Sequence, residues 1–113
     1  MSIASDLIRG HTDTIILAYL IQKDSYGYKI NKAIREKTND LYELKEATLY
    51  TAFKRLEENG NISSYWGDET SGARRKYYSI TKDGINTYHR LKEEWKVAKQ
   101  LIDKLIEEEP CNG

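Results

Sequence analysis

The residues best suited to chemistry in this chain lie in two short blocks. The first holds Ala47, Thr48, Tyr50, Thr51, Lys54 and Arg55, and the second holds Gly72, Arg74, Arg75 and Lys76. If Leu49, Phe53 and Leu56 face a core, a helical step of 100° per residue puts Ala47, Thr51, Lys54, Arg55 and Glu58 on the opposite side, with Thr48 and Tyr50 on the flanks. A helix that reads DNA wants such a surface. Small residues allow close approach to base edges, hydroxyls bond bases or phosphates, and basic side chains neutralise phosphate. An ordinary solvated helix face has the same pattern, and Glu57 and Glu58 weigh against pure phosphate binding. The second block tips the balance toward DNA. Its glycine lets a loop tip bend, and its arginines can track phosphates or enter a minor groove.

These blocks must be positioned by regular elements, and the apolar periodicity supplies them. Ile8, Ile15, Ile16, Tyr19 and Leu20 recur at three- and four-residue steps, which predicts a helix from about Ser5 to Gln22. A second helix is expected from about Tyr26 to Thr38, capped by Asp24 or Ser25. Its first residues, Tyr26 and Lys29, stand where a helix-turn-helix meets the phosphate backbone, although Tyr26 reads equally well as core. Leu41 to Leu44 reads as an extended link or a short edge strand. The third helix, about Glu46 to Asn59, carries the first block, and Gly60 follows where a left-handed cap is wanted. Ile62 to Trp66 and Lys76 to Ile80 are aromatic and β-branched, so a hairpin with a long tip is expected. Thr81 then caps a long last helix, about Lys82 to Glu108 and roughly 40 Å in length. The predicted class is mainly α with a small β-hairpin, a winged helix-turn-helix plus a long C-terminal dimerisation helix. Residues 1–80 form the winged helix, 81–108 the last helix, and 109–113 a flexible tail.

The last helix has a second message. Tyr88, Leu91, Trp95, Ala98, Ile102 and Leu105 are spaced three, four, three, four and three residues apart, a heptad seam. The seam packs either on its own domain or on a second copy. The length of the helix favours the second copy, which would set two recognition helices about one DNA turn apart on a palindromic site. Trp95 is either a large core side chain or a flat platform for an aromatic ligand.

Composition limits the alternatives. Of 113 residues, 39% are hydrophobic and 32% charged, the balance of a soluble globular domain. Lys plus Arg and Asp plus Glu both number 18, so net charge is zero and any DNA affinity must come from local clusters. The lone Cys111 allows no internal disulfide, and neither a signal peptide nor an apolar run long enough for a bilayer is seen, so a cytoplasmic location without membrane contact is expected. His11 and His89 are the only histidines, and no zinc, phosphate-loop or dinucleotide motif exists. Catalysis, a metal and a cofactor are therefore not expected. A winged helix that binds protein instead of DNA remains the alternative. A steep loss of binding with salt would separate the two, because only DNA releases counterions.

Glu46-Ala47-Thr48-Leu49-Tyr50, Lys54-Arg55-Leu56-Glu57 with Gly60, and Arg74-Arg75-Lys76-Tyr77-Tyr78 with Thr81 and Gly84 together resemble the recognition helix, wing and exit of the PadR family of winged-helix transcriptional regulators. The resemblance spans roughly Leu7 to Leu105, and Ile62 to Glu69 brings it near the family's short, multidrug-binding repressors. It implies a homodimer joined through the first and last helices, with Ile16 at that interface, and repression at a promoter. It also implies a central pore in which Trp95 stacks on planar aromatic compounds, approached by Asp13, Thr14, Leu17, Leu91 and Lys99. Lys92 and Lys99 depart from the aromatic and acidic residues of that group, so a preference for cationic drugs does not carry over. Ala47 replaces a common glycine, and Lys45 stands where a serine cap is usual.

Overall fold

The computed structural model describes residues 3–67 and 74–108. The order is α1 (Ile3–Ile8), a 3-10 turn (Arg9–His11), α2 (Thr12–Leu20), α3 (Gly27–Lys37), α4 (Glu46–Glu58), β1 (Ile62–Trp66), β2 (Lys76–Ile80) and α5 (Lys82–Ile106). The class is therefore the expected one, mostly helical with an antiparallel hairpin. Among the described residues no helix is long and apolar enough to cross a membrane.

The first expected helix is broken in two. Gly10 sits in the break, where glycine costs a helix about 1 kcal/mol relative to alanine. The Thr12 hydroxyl donates to the Arg9 carbonyl at 2.8 Å and offers the backbone a competing partner. Neither Asp24 nor Ser25 caps α3. Its cap position is Tyr26, with no side-chain bond to the helix. Ser25 instead makes an antiparallel bridge to Tyr78, through bonds of 3.2 and 2.8 Å. The hairpin thus gains its third partner from Ser25, and Leu41 to Leu44 forms no strand. Leu44 is held by Asn31, whose amide nitrogen donates to the Leu44 carbonyl at 2.8 Å and whose oxygen accepts the Leu44 N–H at 2.9 Å. That side chain copies a strand partner and fixes where α4 begins.

Both middle helices end by the same device. Asn39 and Asp40 take φ of 52° and 63°, and the Asp40 N–H returns to the Arg35 carbonyl at 2.8 Å. Gly60 takes φ of 77° after α4, with Gly60 N–H bonded to Glu57 and Asn61 N–H to Leu56. These paired returns satisfy carbonyls that a helix end would leave open.

The core is shared by α2, α3, α4 and the hairpin: Ile16, Leu17, Leu20, Ile30, Ile34, Leu49, Phe53, Leu56, Ile62 and Tyr78 are all buried. Phe53 stacks on Tyr78 with centroids 4.0 Å apart, tying α4 to β2. Such an aromatic pair adds about 1 kcal/mol beyond its buried area. The strands pair from Ile62 with Ile80 to Trp66 with Lys76.

The expected boundary at residue 80 is a packed junction. Thr81 caps α5 by accepting the Gly84 N–H at 3.0 Å, and its hydroxyl donates to the Gly60 carbonyl at 2.6 Å. Asn61 accepts the Thr81 N–H through its carbonyl and the Thr87 hydroxyl through its side chain, each at 3.0 Å. Gly84 is buried here. A Cβ at this position would lie 2.0 Å from the Asn61 carbonyl oxygen and 2.8 Å from Ile80 Cγ1. Tyr88 and Leu91 are half-buried on the core. Beyond them α5 projects, and the molecule measures 71 × 30 × 21 Å.

Gly84→Ala should lower stability by about 2 kcal/mol, because overpacking outweighs alanine's helix preference of about 1 kcal/mol. Urea unfolding checks this, and a midpoint at or above that of the wild type would show that the contact yields without cost.

Candidate nucleic-acid interface

The buried side of α4 is Leu49, Ala52, Phe53 and Leu56, and the exposed side includes Ala47, Thr51, Lys54, Arg55 and Glu58. This is the face expected from the sequence. Thr48 is half-buried on one flank. Tyr50 occupies the other, edge-on to Phe53 and over the start of α3, where a Cβ at Gly27 would come 3.0 Å from its hydroxyl. Glu57 does not oppose phosphate on this face. Its carboxylate accepts the Ser64 hydroxyl at 2.6 Å and ties α4 to β1. As expected from Lys45, α4 begins without a side-chain cap.

The basic residues of β2 and its approach are braced by aromatic rings. The Arg74 guanidinium lies 5.4 Å from the Trp66 ring, Arg75 lies 4.8 Å from Tyr26, and the Lys76 ammonium lies 5.8 Å from Tyr78. Tyr26 meets Tyr77 edge-on at 5.2 Å, and Tyr77 stacks on its cross-strand neighbour Tyr65. Tyr26 is thus a platform between α3 and the wing, half-buried and open to Arg75. Each such cation contact is worth about 0.5–1 kcal/mol at an exposed site, enough to bias a rotamer. Gly72, expected at the wing tip, lies outside the described residues. Lys29 is exposed beside Lys23, and that neighbour's contact and like charge lower its pKa.

Two features of this surface escaped the sequence. The Arg55 guanidinium is held by Asp13 of α2, through Nε at 3.2 Å and through Nη2. This hydrogen bond raises the pKa of Arg55 still further. The Tyr65 hydroxyl donates to Asp24 at 2.6 Å, which raises the phenol's pKa by stabilising the neutral form. The partners are 42 and 41 residues apart, so no local spacing reveals them.

The residues expected around a pore do not form one cluster. Trp95 is 47% exposed, meets His11 edge-on at 4.7 Å, and shares a groove of about 480 Å³ with His89, Lys92, Lys96 and Lys99. Lys99 also pairs with Asp103 at 3.7 Å. Asp13 is turned instead to α4, Thr14 is half-buried on α2, and Leu91 is half-buried against the core. Ile16 and Leu17 need correction. Both are 0% exposed within their own chain, so neither offers surface to a partner or a ligand. The seam also divides. Tyr88 and Leu91 pack on the core, whereas Trp95, Ala98, Ile102 and Leu105 remain exposed. Val97, Leu101 and Ile106 are exposed beside them and widen the apolar surface. Among the described residues no group of three or more His, Cys, Asp or Glu is placed to hold a metal ion.

The sequence matches the description "Transcriptional regulator PadR-like family" over residues 16–90, from α2 through the wing into α5. The chain belongs to the PadR-like family. An uncharacterised protein of Lysinibacillus sphaericus is 46% identical over 105 residues, covering 93% of this chain and 96% of its own. The solved structure of a transcriptional regulator from Clostridium thermocellum is 56% identical with a TM-score of 0.83, over 91% of this chain and all of that one. A PadR family transcription regulator from Clostridium difficile is 39% identical with a TM-score of 0.74, over 85% of this chain and 98% of that one. This PadR-like chain is thus a transcriptional regulator by family, and the solved relatives named here are regulators too.

Asp24→Asn should return the Tyr65 phenol toward its ordinary pKa, since the carboxylate acceptor is what favours its neutral form. Tyrosine carbon shifts followed by NMR through alkaline pH read this directly. In the wild type the raised value means that stability linked to Tyr65 is present at neutral pH and is lost as pH climbs through the folded-state pKa. An unmoved midpoint in the variant would mean that the hydrogen bond is not made in solution.

Proposed function

We propose that this PadR-like protein is a homodimeric DNA-binding repressor. It binds a palindromic operator and is released by a planar aromatic ligand held at the dimer interface. The observation that carries the reading is the exposed Ala47, Thr51 and Lys54 face of α4, flanked by Arg74, Arg75 and Lys76 of the wing. Small residues lead that face, so a backbone can approach base edges, with cations placed for the phosphates on either side. Tyr26 supports Arg75 and Trp66 supports Arg74 in this role, and Lys29 adds a cation at the start of α3.

Two-fold assembly is supported by α5. Val97, Leu101, Ile102, Leu105 and Ile106 present exposed large apolar side chains, and Trp95, edge-on to His11, is itself about half exposed. At about 25 cal/mol per Å², covering such a surface is a substantial driving force. A second copy covers it symmetrically and pairs the two reading helices. The ligand reading rests on Trp95 and on a likeness of Ile62 to Glu69 to the multidrug-binding repressor LmrR. The groove beside Trp95 carries Lys92, Lys96 and Lys99 together with Glu93, and Lys99 is paired with Asp103, so no preference for planar cations is built into it. Such a ligand weakens DNA binding only by as much as it prefers the non-binding geometry of the dimer.

Mobility shifts on the DNA upstream of the protein's own gene, run across a salt series, test the reading. Affinity should fall steeply with salt, and Arg74→Ala with Arg75→Ala, which removes four arginines from the dimer, should lower the log–log slope by about 3.6, at roughly 0.9 per phosphate contact. An unchanged slope would remove the wing from the interface. For the ligand, Trp95→Ala should abolish fluorescence quenching by planar dyes while DNA affinity stays within about twofold, and Trp66→Ala should leave the quenching in place. Quenching that survives Trp95→Ala would place the dye elsewhere.

A further inference from the structure

An α-helix with its side chains is about 10–12 Å across and the major groove is about 12 Å wide, so a helix seated there has a phosphate strand along each edge. The two edges of α4 are built differently. Tyr50, on one flank of α4, covers the start of α3, where Tyr26 carries Arg75 of the wing between Arg74 and Lys76. On the other side a cleft of about 440 Å³ reaches from Ala47 and Thr51 of the exposed face across Arg55 to Arg9 and Asp13. Its cations are matched. Arg9 pairs with Asp6 at 3.4 Å, and Arg55 is held two-handed by Asp13. The Arg55 and Asp13 side chains are 48% and 30% exposed, so the pair stands at the surface where a docked strand would pass.

We infer that Asp13 is a specificity-determining residue that acts through Arg55. This rests on the DNA-binding reading above. The Asp13 carboxylate takes the Nε–Nη2 edge of the guanidinium and cancels its charge. A phosphate that takes the remaining Nη1 side has a carboxylate beside it. Asp13 therefore withholds one full counter-charge from DNA of any sequence. Sequence-independent affinity is kept low on this edge, and discrimination is left to the base-facing residues of α4. The same pair joins α2 to α4, so it also fixes the tilt of the reading helix against the helix it packs on.

The test compares wild type, Asp13→Asn, Arg55→Ala and the double variant on two duplexes, the protein's own upstream region and a scrambled sequence of equal length. Each is titrated through a salt series. Asp13→Asn should bind the scrambled duplex about fivefold more tightly, and its salt slope should steepen by about 1.8 as Arg55 of each protomer gains a phosphate. The ratio between the two duplexes should fall, and all three effects should vanish in the double variant. Asp13→Ala repeats the measurement with a different side chain, and thermal unfolding confirms that each variant folds. Weaker binding to both duplexes, an unchanged slope, or effects that persist without Arg55 would overturn the inference. A wild type that binds neither duplex would bring down the DNA-binding reading, and this proposal with it.

Discussion

The bare α-carbon of Gly84 against the Asn61 carbonyl is the contact on which the remaining architecture depends. No side chain fits between them, and the buried junction around them leaves no slack. Asn61 belongs to the turn that closes α4, and it also receives the Thr81 N–H and the Thr87 hydroxyl. The end of the reading helix, the exit of the hairpin and the first turn of the long helix therefore share one hydrogen-bonded knot. A rotation of α5 would be handed to α4 through that knot rather than lost in a flexible link, because packed junctions shift between discrete arrangements and do not bend continuously.

Charge is organised by placement, since the total is zero. On the wing, Arg74 and Arg75 lie over aromatic rings that order them. At the opposite edge of α4, arginines are answered by aspartates within their own chain. A protein with no excess charge avoids broad attraction to nucleic acid and concentrates its field at chosen points. The exposed apolar side of α5 is likewise local. It begins where Leu91 leaves the core and runs through Leu101 and Leu105 to Ile106.

Periodicity and turn chemistry are short-range signals, and the elements they govern were legible. Both strands have the ends read from their aromatic and β-branched runs, Gly60 takes its left-handed turn, and Thr81 caps α5. Signals that compete locally were harder to weigh. Gly10 and the Thr12 hydroxyl split a run whose apolar spacing looked continuous. Asp24 and Ser25 had the right chemistry for a cap, but the Asp24 carboxylate accepts the Tyr65 hydroxyl and the Ser25 backbone is drawn into a bridge with Tyr78.

The amino-acid sequence by itself determined the order of elements from α3 onward, the exposed face of α4, the basic run before β2 and the apolar length of α5, because each follows from spacing within a few turns of chain. Tertiary structure alone decided that Asp13 grips Arg55, that Ile16 and Leu17 are sealed inside their own core, and that Tyr26 serves the wing. Those outcomes depend on which distant segments come together. Contacts across about forty residues are set by packing of the whole core, which no local pattern encodes.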